Sequence, residues 1–264
     1  MMHTKPPFHK KTTLTIIMII VFAWSLFSVE WGSDLLHSGG KATTMQILEG
    51  MIKPDFSPEI INLAITSSWR TLAYATAGMS LAVLFGVVFG VLGSGVVASK
   101  PYSKAMFITS FRGILGFMRA IHELIWAWLF VAAFGLSPFA AIFAIAIPYG
   151  GILGRIFADM LNDVPEEPIK ALKASGASRL QILLYGYFPI AAGGMVSYVM
   201  YRFECAIRSS AIMSFIGLGG LGYQIQLSLN DLKYDEVWTF MFFLIALVLL
   251  IDFWSQVLRK RLVA

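Results

Sequence analysis

Six stretches of nearly continuous apolar residues divide the chain, at about 12–29, 68–98, 111–134, 138–160, 182–208 and 237–258. A hydrocarbon core about 30 Å thick takes roughly 20 apolar residues per helical crossing, so each run is long enough to span a bilayer. The pattern predicts an all-α membrane protein with six transmembrane helices. Several runs carry Gly, Pro or charge internally, which a lone lipid-facing helix tolerates badly and a bundle around a path accommodates. Composition agrees: 58% of the 264 residues are hydrophobic and 13% charged, too little polar surface to cover a water-soluble globule.

Charge gives the runs an orientation, because Lys and Arg accumulate in cytoplasmic loops. Lys5, Lys10 and Lys11 precede the first run, Lys100, Lys104 and Arg112 join the second to the third, Arg155, Lys170, Lys173 and Arg179 surround the fourth-to-fifth connection, and Arg259, Lys260 and Arg261 close the chain. The alternate connections hold Glu30, Asp34, Glu49, Asp55, Glu59, Asp231, Asp235 and Glu236 against Lys41, Lys53 and Lys233. Both termini are therefore expected in the cytoplasm. The net charge of +5 follows from this topology, and no stripe of interleaved basic and aromatic residues points to nucleic acid. The first run is expected to be a retained span rather than a secretory signal, since Glu30-Trp31-Gly32 offers no small-x-small cleavage site.

Residues 1–66, the first span with an external polar segment, read as an appendage to a working unit of five spans over 67–264. Within the external segment at 209–236, the run Gly217-Leu218-Gly219-Gly220-Leu221-Gly222 follows a span and precedes a short helical stretch, Tyr223 to Leu229. A dinucleotide fingerprint needs a preceding strand, so these glycines are read as close-packing positions. Gly40-Lys41 is followed by Ala42 and is not a P-loop, so this polypeptide has no such route to ATP hydrolysis. His3, His9, His37 and His122 lack ligand spacing, and Cys205 is the only cysteine, so neither metal nor disulfide is expected.

Two groups of residues carry candidate function. Pro168 to Pro189 contains a small amphipathic helix stranded between spans, with Ile169, Leu172 and Leu180 as its apolar side and Lys170, Lys173, Ser178 and Arg179 facing water or a partner. Gly176 permits a turn between two short helices. The second group consists of charges inside the third and fifth runs: Arg119, His122 and Glu123, then Arg202, Glu204 and Arg208. An ionised group at the membrane centre costs at least about 2.5 kcal/mol, so these should face the bundle interior or water. Arg119 with Glu123 and Glu204 with Arg208 stand at i, i+4 and are expected to pair, line the path, or both. Arg202 has no carboxylate at helical spacing, which leaves its guanidinium free to meet an oxyanion through paired N–H donors. Asp252 is expected to pair with the terminal basic cluster.

The stretch with Lys170-Ala171-Leu172, then Gly176-Ala177, then Pro189 thirteen residues past the glycine resembles the coupling motif of ABC-transporter permeases. Lys53-Pro54-Asp55-Phe56-Ser57, Arg119 to Leu124, Gly135 to Ala140, Tyr201-Arg202-Phe203-Glu204 with Arg208-Ser209, the Gly217–Gly222 run and Ile251 to Gln256 extend the likeness. Over nearly its whole length the chain resembles phosphonate-, phosphite- and phosphate-type ABC importer permeases. Lys170 in the place of an acidic residue, Cys205-Ala206, and Pro148-Tyr149 depart from that pattern. The resemblance implies a type I importer permease fold in the bacterial inner membrane, a second copy of the chain, two cytoplasmic ABC ATPase subunits, and a periplasmic or lipid-anchored substrate-binding protein. It further implies that the chain binds no cofactor, ATP and Mg residing on the ATPase. Lys170, Ala171, Leu172, Lys173, Gly176, Ala177 and Pro189 would couple to that ATPase. Two rival readings stand beside this one: an importer of the same architecture for another solute such as an amino acid, and an ion-coupled secondary carrier. The absence of an inverted repeat weighs against the carrier.

Overall fold

A computed structural model describes residues 8–28, 40–98 and 100–263. His3, Lys5, Glu30-Trp31-Gly32, Asp34 and His37 lie outside the described residues. All regular structure among the described residues is helical: α1 (Phe8–Ser28), α2 (Gly40–Ile52), α3 (Pro58–Ser94), α4 (Pro101–Ala120), α5 (Glu123–Phe134), α6 (Pro138–Asn162), α7 (Glu166–Ala174), α8 (Arg179–Ile182), α9 (Phe188–Met213), α10 (Leu221–Asn230) and α11 (Tyr234–Val263). A π turn over Leu183–Tyr187 joins α8 to α9, and a 3₁₀ turn over Ser214–Ile216 follows α9. Two compact units divide between Leu48 and Glu49. The first contains α1, whose side chains from residue 11 onward are almost all exposed, as an apolar helix built for lipid requires.

The expected boundary at residue 66 falls inside α3, which starts eight residues earlier at Ser57-Pro58. Proline at the first helical position loses no hydrogen bond there. The Ser57 amide is held by Asp55 Oδ1 at 2.8 Å, so this short segment ends in a helix start rather than a loose linker. At 37 residues α3 is about 55 Å long, well beyond one hydrocarbon thickness. It packs along α6 through Gly86 and Gly90; a β-carbon at either would stand 2.7 Å from Leu153 Cβ or 2.9 Å from Phe157 Cβ. This small-xxx-small spacing lets two helices approach closely where lipid supplies no hydrophobic drive.

Among the described residues, five elements are long and apolar enough to cross a membrane: α1, α3, α6, the run Arg179–Ile216 and α11. The third apolar stretch, expected as one span over 111–134, is instead broken. α4 and α5 meet at 86° across Ile121 and His122, and only if the pair counts as one crossing does the number reach six. Ile121 and His122 are extended, and His122 Nδ1 accepts the Leu124 amide at 3.2 Å as the cap of α5. Arg119 in the last turn of α4 and Glu123 in the first turn of α5 each suit the helix dipole beside them.

At one end of the larger unit, Asp159 of α6 holds Arg112 Nη2 of α4 and Arg155 Nε, both at 3.0 Å, while Arg112 Nε donates to the Gly93 carbonyl at the close of α3. At the other end, Thr239 of α11 donates to the Asp55 carbonyl at 2.8 Å, and Lys233 and Ser228 both reach Glu236. Basic side chains thus gather at the end where α7 leaves the bundle, and carboxylates at the end where α11 begins.

Candidate functional site

The stranded segment folds as an elbow. α7 ends in a paired closure: the Gly176 amide returns to the Lys173 carbonyl and the Ala177 amide to the Leu172 carbonyl, both at 3.1 Å. This closure places Gly176 at φ +80°, the left-handed region in which a side chain is strained. Ser178 then caps α8 reciprocally with Gln181, whose side chain takes the Ser178 amide at 2.7 Å. Ile169 is buried and Leu172 half-buried against Gly186, where a β-carbon would meet Ile169 Cδ1 at 2.8 Å. Leu180, expected on the same apolar side, is instead 64% exposed, because the Gly176 turn redirects α8 away from the face that α7 buries. Lys170, Ala171, Lys173, Gly176 and Pro189 are also exposed, and Ala177 is half-buried. Lys170 grips Glu166 at 2.6 Å, and that bond, with the positive charge behind it, holds the Glu166 carboxyl below its usual range.

Pro189 has a local reason for its position. A proline one residue into α9 has no N–H and its ring crowds the carbonyl four residues back. The widened turn over Leu183–Tyr187, closed by the Phe188 amide on the Leu183 carbonyl, relieves both demands. The elbow is thereby joined to the long α9 by a single π turn, a kind of distortion that recurs at functional sites.

Inside the bundle, the six charged candidates fall into several groups rather than one. Glu123 accepts the Ser209 hydroxyl at 2.6 Å, Ser209 in turn meets the Tyr149 hydroxyl at 2.9 Å, and His122 Nε2 is 3.7 Å from the other Glu123 oxygen. With Ser209 donating to the carboxylate, Tyr149 must donate to Ser209, so the chain of protons runs from α6 through α9 to α5. The expected Arg119–Glu123 pair does not form, since the break at Ile121 removes the helical spacing; Arg119 is exposed. Nor does Glu204 pair with Arg208. It holds Arg259 of α11 at 2.9 Å, while Arg208 Nη2 contacts Cys205 Sγ at 3.7 Å. Asp252 is bonded by Gln256 at 3.0 Å rather than by the terminal basic residues, because α11 continues straight past it and carries those residues away.

Arg202 is oriented by aromatic neighbours on its own helix. Its Nε and Nη2 donate to the Tyr198 hydroxyl at 3.0 and 2.8 Å, and its guanidinium stands 5.2 and 5.5 Å from the Tyr198 and Tyr201 ring centres. A guanidinium has five N–H donors, so three stay available once two are spent on Tyr198. An open groove of about 550 Å³ is lined by Tyr198, Tyr201, Ser197, Arg259 and the Gly193-Gly194 floor. Sequence spacing did not single out Tyr149, Ser209, Tyr198 or Arg259 as partners. Tyr198 was the one accessible signal, four residues before Arg202 on a helix.

Substituting Ser209 by Ala should break this proton chain and leave the buried Tyr149 hydroxyl without its partner. The expected cost is about 1–3 kcal/mol, read as a fall of several degrees in the melting midpoint of the purified protein. An unchanged midpoint would show that the chain contributes nothing to the packing of α5, α6 and α9.

A bundle of apolar helices that half-buries Glu123, Arg202 and Glu204 while leaving Arg119, His122 and Arg208 exposed, with a polar elbow projecting from one end, fits a membrane transport subunit. The model of the family described as "Binding-protein-dependent transport system inner membrane component" matches residues 13–264, and the chain belongs to that family, a multi-pass component of the bacterial inner membrane. It is 33% identical over 191 residues to the phosphite transport system permease protein PtxC of Stutzerimonas stutzeri, covering 72% of this chain and 68% of that one. It is 26% identical to the putative phosphite transport system permease protein HtxC of the same organism, over 95% of this chain and 86% of that one. Among solved structures, a chain of the MetNI methionine ABC transporter in inward-facing form superposes with a TM-score of 0.69 at 23% identity, over 78% of this chain and 99% of that one. That likeness shows the fold alone and carries no information on cargo.

Proposed function

We propose that this chain is the permease of an ATP-driven importer for phosphite, phosphonate or phosphate. The observation that carries the cargo class is the similarity to phosphite permeases over most of both chains. Two copies of the chain would enclose the path, with both termini in the cytoplasm and the elbow over Glu166–Ile182 inserted into a separate ATPase chain that holds ATP and Mg. The concentration of Lys and Arg at the elbow end supports that orientation. A binding protein would deliver cargo at the carboxylate-bearing end. When the ATPases close, the elbow moves as a unit and α9, joined to it at Pro189, carries that motion to Arg202 and Glu204. Arg202, His122, Glu123, Arg119 and Arg208 would border the path, and Arg202 would touch the oxyanion. Weak contact suffices, since a conduit must also release.

The test is uptake into proteoliposomes holding the chain, its ATPase, the binding protein and labelled phosphite, phosphonate or phosphate. ATP-dependent uptake of one of these is expected; uptake by the chain alone would overturn the assignment. In that assay Arg202→Ala should lower uptake about tenfold or more, the worth of a charge-assisted hydrogen bond to the anion. Arg202→Lys should recover only part of it, because a point charge lacks the planar fork. Normal uptake by Arg202→Ala would confine Arg202 to packing against its two tyrosines.

A further inference from the structure

A second polar feature lies away from the groove, where the exposed lysines of α7 meet the end of the bundle. A cleft of about 350 Å³ opens between the close of α3, the first turns of α4, the end of α6 and the bundle-facing side of α7. Lys104, Lys170 and Lys173 line it with Glu166, Asn162 and Tyr187. Three ammonium groups against one carboxylate leave a net charge of +2. The carboxylate is already engaged, since Lys170 holds Glu166 at 2.6 Å. Lys104 and Lys173, which come from different elements, form no ion pair within 4.0 Å among the described residues. The cleft therefore carries an excess of positive charge: Glu166, paired with Lys170, also feels Lys173, and Lys104 comes from a separate element, with an amide and a phenol as neutral donors beside them.

We infer that this cleft binds a phosphate-class oxyanion that bridges Lys104 of α4 to Lys173 of α7. An anion with several oxygens and more than one negative charge can meet two ammonium groups at once, whereas a single carboxylate reaches one such charge well and leaves the other unpaired. The volume accommodates a substituted phosphate as well as a free one. Because the cleft sits at the basic end of the bundle, the phosphate can come from solution or from the headgroup of an anionic lipid, to which basic clusters beside a membrane are attracted. In either case a bound phosphate ties the elbow to the helix bundle and restrains the part that is proposed to move. The inference does not depend on which solute the permease carries.

The experiment uses the purified full-length chain in nanodiscs of phosphatidylcholine, with its melting midpoint as the readout. Inorganic phosphate is titrated against sodium chloride of equal ionic strength, and in a separate arm phosphatidylglycerol replaces part of the lipid. A ligand of the folded state raises the midpoint by mass action, here by about 2 °C or more at about ten times its dissociation constant. A rise with phosphate beyond that of the salt control, growing with the logarithm of its concentration, assigns the site to a free anion, and a rise only with phosphatidylglycerol assigns it to lipid. Lys104→Gln with Lys173→Gln should abolish the rise, Lys104→Arg with Lys173→Arg should retain it, and Lys233→Gln, at the other end of the bundle, should leave it intact. No rise in either arm, or a full rise in the double Gln variant, would overturn the inference.

Discussion

Gly222→Ala should destabilise the protein severely. A β-carbon at Gly222 would overlap the carbonyl oxygen of Ala211 and stand 3.0 Å from its carbon, so the obstacle is the backbone of α9 and not a side chain that can turn aside. Neither strand of this contact is free to retreat. The Leu221 amide is bound to Thr71 Oγ1 at 3.0 Å, Ser210 Oγ donates to the Thr71 carbonyl at 3.0 Å, and Ser214 Oγ donates to the Ser210 carbonyl at 2.8 Å, all of them buried. Overpacking of a tight core commonly costs about 1–3 kcal/mol, and a clash with fixed backbone lies at or beyond the upper end. With total stabilities of about 5–15 kcal/mol, a large fall in the melting midpoint and a reduced yield of monodisperse protein in detergent are expected. Gly113→Ala is the matched control: its β-carbon meets nothing within 4 Å on exposed α4, so it should be neutral or stabilising by up to about 1 kcal/mol. A well-behaved Gly222→Ala protein would mean that α10 does not pack on α9 as described.

The Gly217–Gly222 run was legible as a close-packing element from its place after a span, and the structure gives the reason in the Ala211 contact. The elbow was legible too, because proline, glycine and a polar amphipathic stretch are local signals that need no knowledge of the rest of the chain. The break at Ile121–His122 escaped notice because the residues on both sides are apolar enough to read as one run. A signal was nevertheless present: Arg119 and Glu123 place a cation at a helix end and an anion at a helix start, the arrangement that two dipoles meeting at a corner favour. The same two residues, taken as one continuous helix, looked like an i, i+4 pair. The Glu204–Arg259 bond is different in kind. It joins α9 to α11 across 55 positions, and only packing of the two helices brings the groups together. Asp159 combines both cases, with Arg155 at helical spacing and Arg112 recruited from α4.

Gly176→Pro should abolish transport while leaving the membrane helices assembled. Proline fixes φ near −65°, and residue 176 stands at φ +80°, so the substitution cannot be absorbed in place. It also removes the Gly176 amide that closes α7 on the Lys173 carbonyl, which in turn releases the second closure, from Ala177 to Leu172. The damage is confined to the turn, because a side chain at 176 has open space around it and no helix of the bundle packs there. What is lost is the fixed angle between α7 and α8, and with it the rigid surface proposed to meet the ATPase. Gly176→Ala separates conformational strain from loss of the hydrogen bond: it retains the amide and costs only the left-handed penalty, roughly 1 kcal/mol, so it should transport at a reduced rate. The expected order in the proteoliposome assay is wild type, then Gly176→Ala, then Gly176→Pro at background, with melting midpoints of the isolated permease differing far less than the rates. Normal ATPase capture and uptake by Gly176→Pro would show that the elbow is only a connection between spans, and the coupling role proposed for Lys170, Ala171, Leu172, Lys173, Ala177 and Pro189 would fall with it.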